Sequence, residues 1–238
     1  MTNPASPLTR DTLSSKVAEY VIGTISSQHL KPGDPVLPEI QASLALGVSR
    51  PIVREAYRSL AAAGIIEVAS GKRPRVGSIS AGAITELFRH AVRTDQASSA
   101  QVLQLRRAVE IDAARLAATH RTDDELAHLE TARRALRAAG TKVDAFVEAD
   151  VDFHLTIAGA TRNPLFALFI EALRQPLETS MALGLQSRTS RTELERVQQL
   201  HDEIATAIRD QDAERAGSAM ASHFDDAVST ILARGVRS

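Results

Sequence analysis

Residues 37–60 read LPEIQASLALGVSRPIVREAYRSL, and the order of short helix, glycine turn and arginine-striped helix within them decides the fold. Pro38 to Leu46 reads as a short helix that stops at Gly47, a residue suited to the positive φ of a helix C-cap or interhelical turn. Ser49 is placed to cap the next helix. From Arg50 to Ala63, Val53, Ala56, Tyr57 and Leu60 fall on one face, while Arg50, Arg54 and Arg58 step by four along the other. Pro51 biases Arg50 away from α geometry but is tolerated in a first turn, so a slightly shifted helix start and an intact helix are expected.

Upstream, Leu13, Val17, Tyr20, Val21 and Ile25 recur at helical spacing until the turn residues from His29 to Pro35, so a first helix ends near Gln28. Downstream of Gly64 the period becomes extended. Ile65 to Val68, a basic tip from Ala69 to Pro74, then Arg75 to Gly77 read as a short hairpin. An arginine row alone is an ordinary solvated face. Combined with a tight turn, a short preceding helix and a basic hairpin, it implies a winged helix-turn-helix, whose third helix enters the major groove of double-stranded DNA. A planar guanidinium suits that role because it binds guanine or phosphate through two parallel hydrogen bonds.

The chain has 238 residues, enough for two modest domains, and only 3% of them are aromatic. Heavy use of Ala, Leu, Arg and Glu favours helix. The absence of cysteine excludes disulfides, thiolate metal sites and cysteine nucleophiles, leaving His, Asp and Glu as metal ligands. The opening MTNPASPLTRD lacks a basic start followed by an apolar run, and no 18 apolar residues follow one another, so a cytoplasmic protein without membrane insertion is expected. Net charge is −1 overall, but nine Lys/Arg stand against six Asp/Glu up to residue 80 and 19 against 23 beyond it. The mild basic excess lies with the helix-turn-helix.

Residues 78–83 are small and polar and read as a linker. Beyond them, helices are expected at about 83–94, 98–119, 122–139, 142–159, 163–183, 191–210 and 212–234, an antiparallel bundle of six or seven helices with no strand signal. Polar residues interrupt its apolar stripes. Val143, Val147, Asp150, His154 and Ile157 share one face; Leu194, Val197, His201, Ile204 and Ile208 another; Ala216, Met220, His223, Ala227 and Ile231 a third. An inward carboxylate beside three inward imidazoles is expensive unless paired or metal-bound, and the set suits Zn²⁺, Ni²⁺, Mn²⁺ or Fe²⁺. Asp152 lies on the opposite side of its helix. His29, His90, His120 and His128 are expected at the surface. In the helix from 98 to 119, Val102, Arg106, Val109, Ala113 and Leu116 share a face, so Arg106 points inward, either toward an anionic ligand or into an ion pair with Glu110. Arg107 is expected at a helix contact or in solvent.

Lys31 to Asp34, Leu37 to Glu39, Gly47 to Arg50, Val53 to Ala56, Leu60 and Gly64 to Glu67 together resemble the GntR family of bacterial regulators, over about residues 8–77. The resemblance implies operator contacts at Arg50 and Arg54 and at wing residues Ser70, Gly71 and Lys72. With the capping Ser49 and the basic Arg73, these form the candidate DNA-binding set. Ile40 departs from the pattern, standing where the family usually has an arginine. Asp150 to His154, Gly159 to Leu165, His201 to Ile208 and Met220 to His223 resemble the FadR-type effector domain of that family, the FCD domain, over about 84–235. That resemblance implies metal ligands at Asp150, His154, His201 and His223, and at Arg106 a contact with the carboxylate of a small organic-acid effector.

The expectation is a mainly α protein, a homodimeric, ligand-responsive regulator of double-stranded operator DNA, and not an enzyme. Two alternatives remain open: a regulator in which the metal itself is the signal, and a metal-dependent bundle enzyme. Against the second, no separate acid–base pair accompanies the four ligands, and a winged helix would have no purpose.

Overall fold

The first element of the structure, a computed structural model that describes residues 10–174 and 191–233, is α1 (Arg10–Ser27). Its Val17 and Val21 are buried against Val53, Tyr57 and Leu60 of α3 (Arg50–Ala62) in one small core. Between them lies α2 (Glu39–Leu46), which ends at Gly47 in the left-handed region at φ 63°, with its N–H on the Ser43 carbonyl. A β-carbon is strained in that conformation, which accounts for the glycine. Ser49 occupies the N-cap of α3 with extended backbone, but its side chain makes no cap hydrogen bond. The expected hydroxyl cap is therefore absent. Pro51 sits in the first turn, where a missing N–H is harmless, and the helix starts at Arg50 without the expected shift.

The wing is β1 (Ile66–Glu67) paired antiparallel with β2 (Arg75–Val76) in the register Ile66 to Val76 and Glu67 to Arg75. Segment 33–36 runs along the other edge: Val76 donates to the Asp34 carbonyl at 2.8 Å, and Val36 donates to the Pro74 carbonyl at 2.8 Å. Gly77 passes so close to the Gly64 carbonyl that a β-carbon would lie 2.2 Å from that oxygen. These bonds anchor the base of the hairpin and leave its tip, residues 69–73, exposed.

The chain divides into two compact units, residues 1–83 and 84–238. Helix α4 (Gly82–Arg93) opens inside the segment read as linker, 78–83. After it come α5 (Ser99–His120), α6 (Asp123–Ala139), α7 (Val143–Gly159), α8 (Pro164–Arg174), α9 (Arg191–Arg209) and α10 (Ala213–Ala233). The part of the expected 163–183 helix beyond Arg174 lies outside the described residues. Reciprocal capping boxes start α5, from Ser98 and Gln101, and α6, from Thr122 and Glu125, satisfying backbone donors that a helix start leaves orphaned. Helix α5 packs along α10, α6 along α7 and α9 along α10, around a core that includes Leu103, Leu136, Phe153, Ile204, Ile208 and Met220. Among the described residues no helix is long and apolar enough to cross a membrane.

Candidate metal centre and DNA-reading face

In the first unit the candidate DNA-binding residues lie on the surface: Ser49, Arg50, Arg54 and Arg58 on α3, and Ser70, Gly71, Lys72 and Arg73 at the wing tip, are all exposed. The buried stripe on α3 is the expected Val53, Ala56, Tyr57 and Leu60. Arg54 is not isolated, for its Nε donates to Glu39 Oε2 on α2 at 3.3 Å. Sequence reading missed Glu39, since a contact spanning 15 residues leaves no periodic signal. Ile40 is more than half exposed.

Inside the second unit, one ligand atom each from Asp150 and His154 on α7, His201 on α9 and His223 on α10 lies within 4.8 Å of the other three. Asp150, His154 and His201 are buried and His223 is partly so. Asp150 Oδ1 stands 3.1 Å from His201 Nε2 and 3.9 Å from His154 Nε2. Two atoms bound to one metal at about 2.1 Å are roughly 3–4 Å apart, and both Asp150 distances lie in that range. Phe153 closes the apolar side, its ring edge-on to His201 at 5.1 Å between centroids.

Tautomers sharpen the picture. His201 Nδ1 is 2.9 Å from the Val197 carbonyl, and because a carbonyl only accepts, this nitrogen carries the hydrogen. In the neutral ring Nε2 then turns a lone pair toward an acceptor oxygen of Asp150. That arrangement is stable only with a proton or a metal cation between them. His154 Nδ1 lies against Glu110 Oε2 in an ion-pair contact, and both nitrogens of its ring are buried without a hydrogen bond. The buried Nδ1 of His223 also lacks one. Lone pairs withdrawn from water and left unpaired are what metal ligation satisfies.

Electrostatics agree. Burial would raise the Asp150 carboxyl, but His154, His201 and His223 together hold it below the usual carboxylate range. Burial opposes a charge on His154, yet Glu110 and Asp150 outweigh it and draw the ring toward its cationic form; the same carboxylates favour a metal cation in place of that proton. Burial, then repulsion from His201 and His154, pushes His223 well below its ordinary value, so it is the neutral base that ligation requires.

Arg106 is buried as expected, with its Nε donating to Glu110 Oε1 at 2.7 Å and its guanidinium 5.6 Å from the centre of the Phe224 ring. The ion-pair alternative is thus the arrangement present. Of the stripe read on α5, Val102, Arg106 and Ala113 are buried and Val109 and Leu116 partly so, and the buried face also takes in Glu110. Burial would raise the Glu110 carboxyl, but Arg106 and His154 reverse this and hold it below its usual range. Glu110 is the functional candidate that sequence reading treated only as a partner for Arg106. Arg107 makes a helix contact, donating to Asp225 on α10 at 2.8 Å. Asp152, His29, His90, His120 and His128 are exposed, as expected.

An exposed arginine helix with a basic wing, followed by a helical unit enclosing a cluster of Asp and His side chains, is the arrangement of a DNA-binding transcriptional regulator with an effector domain. The chain belongs to the GntR family: residues 13–76 match the bacterial regulatory proteins of the gntR family, and residues 101–226 match the FCD domain. It is 30% identical over 241 residues to the HTH-type transcriptional repressor NanR of Escherichia coli K12, covering 96% of this chain and 88% of that protein. Among solved structures it is similar to Streptococcus agalactiae GntR, with a TM-score of 0.62, 24% identity and coverage of 89% of this chain and 97% of that one. It is also similar to E. coli McbR/YncC, with a TM-score of 0.50, 21% identity and coverage of 93% and 98%. Both agree with the fold.

Proposed function

We propose that this regulator is a cytoplasmic repressor that binds its operator as a homodimer, and that its FCD domain holds one divalent metal and a small organic acid. Repression is supported by the similarity to NanR, a transcriptional repressor. The observation that carries the rest is the convergence of Asp150, His154, His201 and His223 on one point, with the His201 ring oriented by its Nδ1 bond to the Val197 carbonyl and His154 Nδ1 set against Glu110. Four protein ligands leave room for an exogenous oxygen ligand on an ion of higher coordination number, whether Zn²⁺, Ni²⁺, Mn²⁺ or Fe²⁺. When bound, the metal supplies a positive centre for a carboxylate. Arg106 adds a second cation at the same site, and any such ligand must share this guanidinium with Glu110. On the DNA side, Arg50 and Arg54 read base edges or phosphates, while Ser49, Ser70, Gly71, Lys72 and Arg73 contact the backbone or minor groove.

The test begins with selection of an operator from random duplexes. A thermal-shift panel of organic acids follows, with and without Zn²⁺, Ni²⁺ or Mn²⁺. A carboxylate should stabilise the metal-loaded protein by mass action and change its operator affinity. If no acid stabilises the loaded protein more than the metal-free one, the organic-acid assignment is wrong. The Arg106–Glu110 pair favours a second reading, in which the charge of Arg106 is already neutralised and the metal is itself the signal. In that case the metal alone changes operator affinity and no acid adds to it.

A further inference from the structure

Glu110 is almost wholly withdrawn from water, and its two oxygens face different partners. Oε1 accepts from Arg106 Nε at 2.7 Å, and Oε2 lies against His154 Nδ1. A helix interior gives up apolar packing to seat a carboxylate there, which calls for a reason beyond the ion pair, because a desolvated pair gains little over apolar side chains of the same size. The His154 contact supplies one. An imidazole can present either nitrogen, and at His201 the choice is made by a backbone carbonyl, that of Val197. For His154 the group that meets Nδ1 is Glu110.

We propose that Glu110 is the positioning residue of the metal centre, holding His154 with Nδ1 protonated and Nε2 directed at the ion, and that through its other oxygen it ties Arg106 to that geometry. This rests on the metal reading above and deepens it. Metal affinity and the placement of Arg106 are then one linked property, because both draw on the same carboxylate. Glu110→Gln keeps the shape but cannot serve both partners. If the amide oxygen faces His154, its NH₂ meets the Arg106 guanidinium, donor against donor; if reversed, donor meets donor at His154.

The experiment measures Zn²⁺ affinity of the full chain by competition with a chelating dye, beside imidazole ¹⁵N NMR of the Zn²⁺-loaded protein. In the wild type, His154 should carry its hydrogen on Nδ1 and the metal on Nε2. Glu110→Gln should bind Zn²⁺ about 10–100-fold more weakly, the range expected for loss of a partner that orients a metal-bound histidine. Asp152→Asn, on the exposed face of α7, should change nothing. Arg106→Lys, which retains a cation but not the planar fork, should fall between wild type and Glu110→Gln. Unaltered Zn²⁺ affinity in a folded Glu110→Gln variant overturns the proposal. Should that variant fail to fold, the wild-type spectrum decides alone, since zinc on His154 Nδ1 overturns it equally. A wild type that takes up no Zn²⁺, Ni²⁺ or Mn²⁺ at all removes the metal reading itself, which separates that failure from this one.

Discussion

Arg106 and Glu110 are 3% and 1% exposed, so each is tolerable only while the other is present. Arg106→Met alone should cost the metal-free protein about 3–5 kcal/mol, because it strands a buried carboxylate, whereas Arg106→Met combined with Glu110→Leu should recover most of that loss. Urea denaturation in chelator checks this; simple addition of the two single costs contradicts it. Tyr57 offers a second test. Its hydroxyl donates to the Leu37 carbonyl, tying α3 to the entry of α2. Burial, then the charge of Glu39, raises the phenol to about 12. The folded protein therefore resists losing that proton, while the unfolded chain loses it near the ordinary value of about 10. The Tyr57 contribution is intact below pH ~10 and is lost as pH rises through the folded value. Tyr57→Phe should be about 1 kcal/mol less stable at neutral pH, and the difference should shrink through that alkaline window. A difference independent of pH contradicts the assignment.

Among the elements, separable roles are expected for α3 and the wing. Arg54→Ala should weaken operator binding by at least about 1 kcal/mol and alter base discrimination or the salt slope, while Lys72→Ala should weaken all sequences alike and lower the slope by about 1. Salt-titrated anisotropy on the selected operator distinguishes them, and unchanged binding by Arg54→Ala removes α3 as the reading helix. Helix α3 was legible in the sequence because its apolar and arginine stripes repeat at 3.6 residues. The glycine turn and the four metal-ligand candidates were legible for related reasons of backbone geometry and of polar residues interrupting apolar faces. The bonds along segment 33–36 and the Glu39–Arg54 pair were not, because they join residues far apart in sequence. On α5 the periodic reading placed Val102, Arg106 and Ala113 inward as found, but it offered Glu110 only as a partner for Arg106, and Glu110 is buried more deeply than Val109. The burial of Glu110 is intelligible only once His154 and Arg106 are seen on either side of it.

At the scale of the molecule, the helix-turn-helix and the FCD domain fall in two units of one chain. A dimer reads half-sites about 34 Å apart, one turn of DNA, so a modest change in the spacing of two recognition helices is enough to alter affinity. Whatever factor a ligand imposes on operator affinity, the operator must impose on ligand affinity. Calorimetric titration of the ligand into free and operator-bound protein should return that same factor, and unequal factors would show that the two sites are not linked by one equilibrium. The proposed coupling to a ligand depends on whether Asp150, His154, His201 and His223 hold a metal. Native mass spectrometry of tag-free protein tests it most directly: the account predicts about one divalent ion per chain in the wild type and none after combined His154→Ala, His201→Ala and His223→Ala substitution. Full metal occupancy in that triple variant, or none in the wild type, would contradict it.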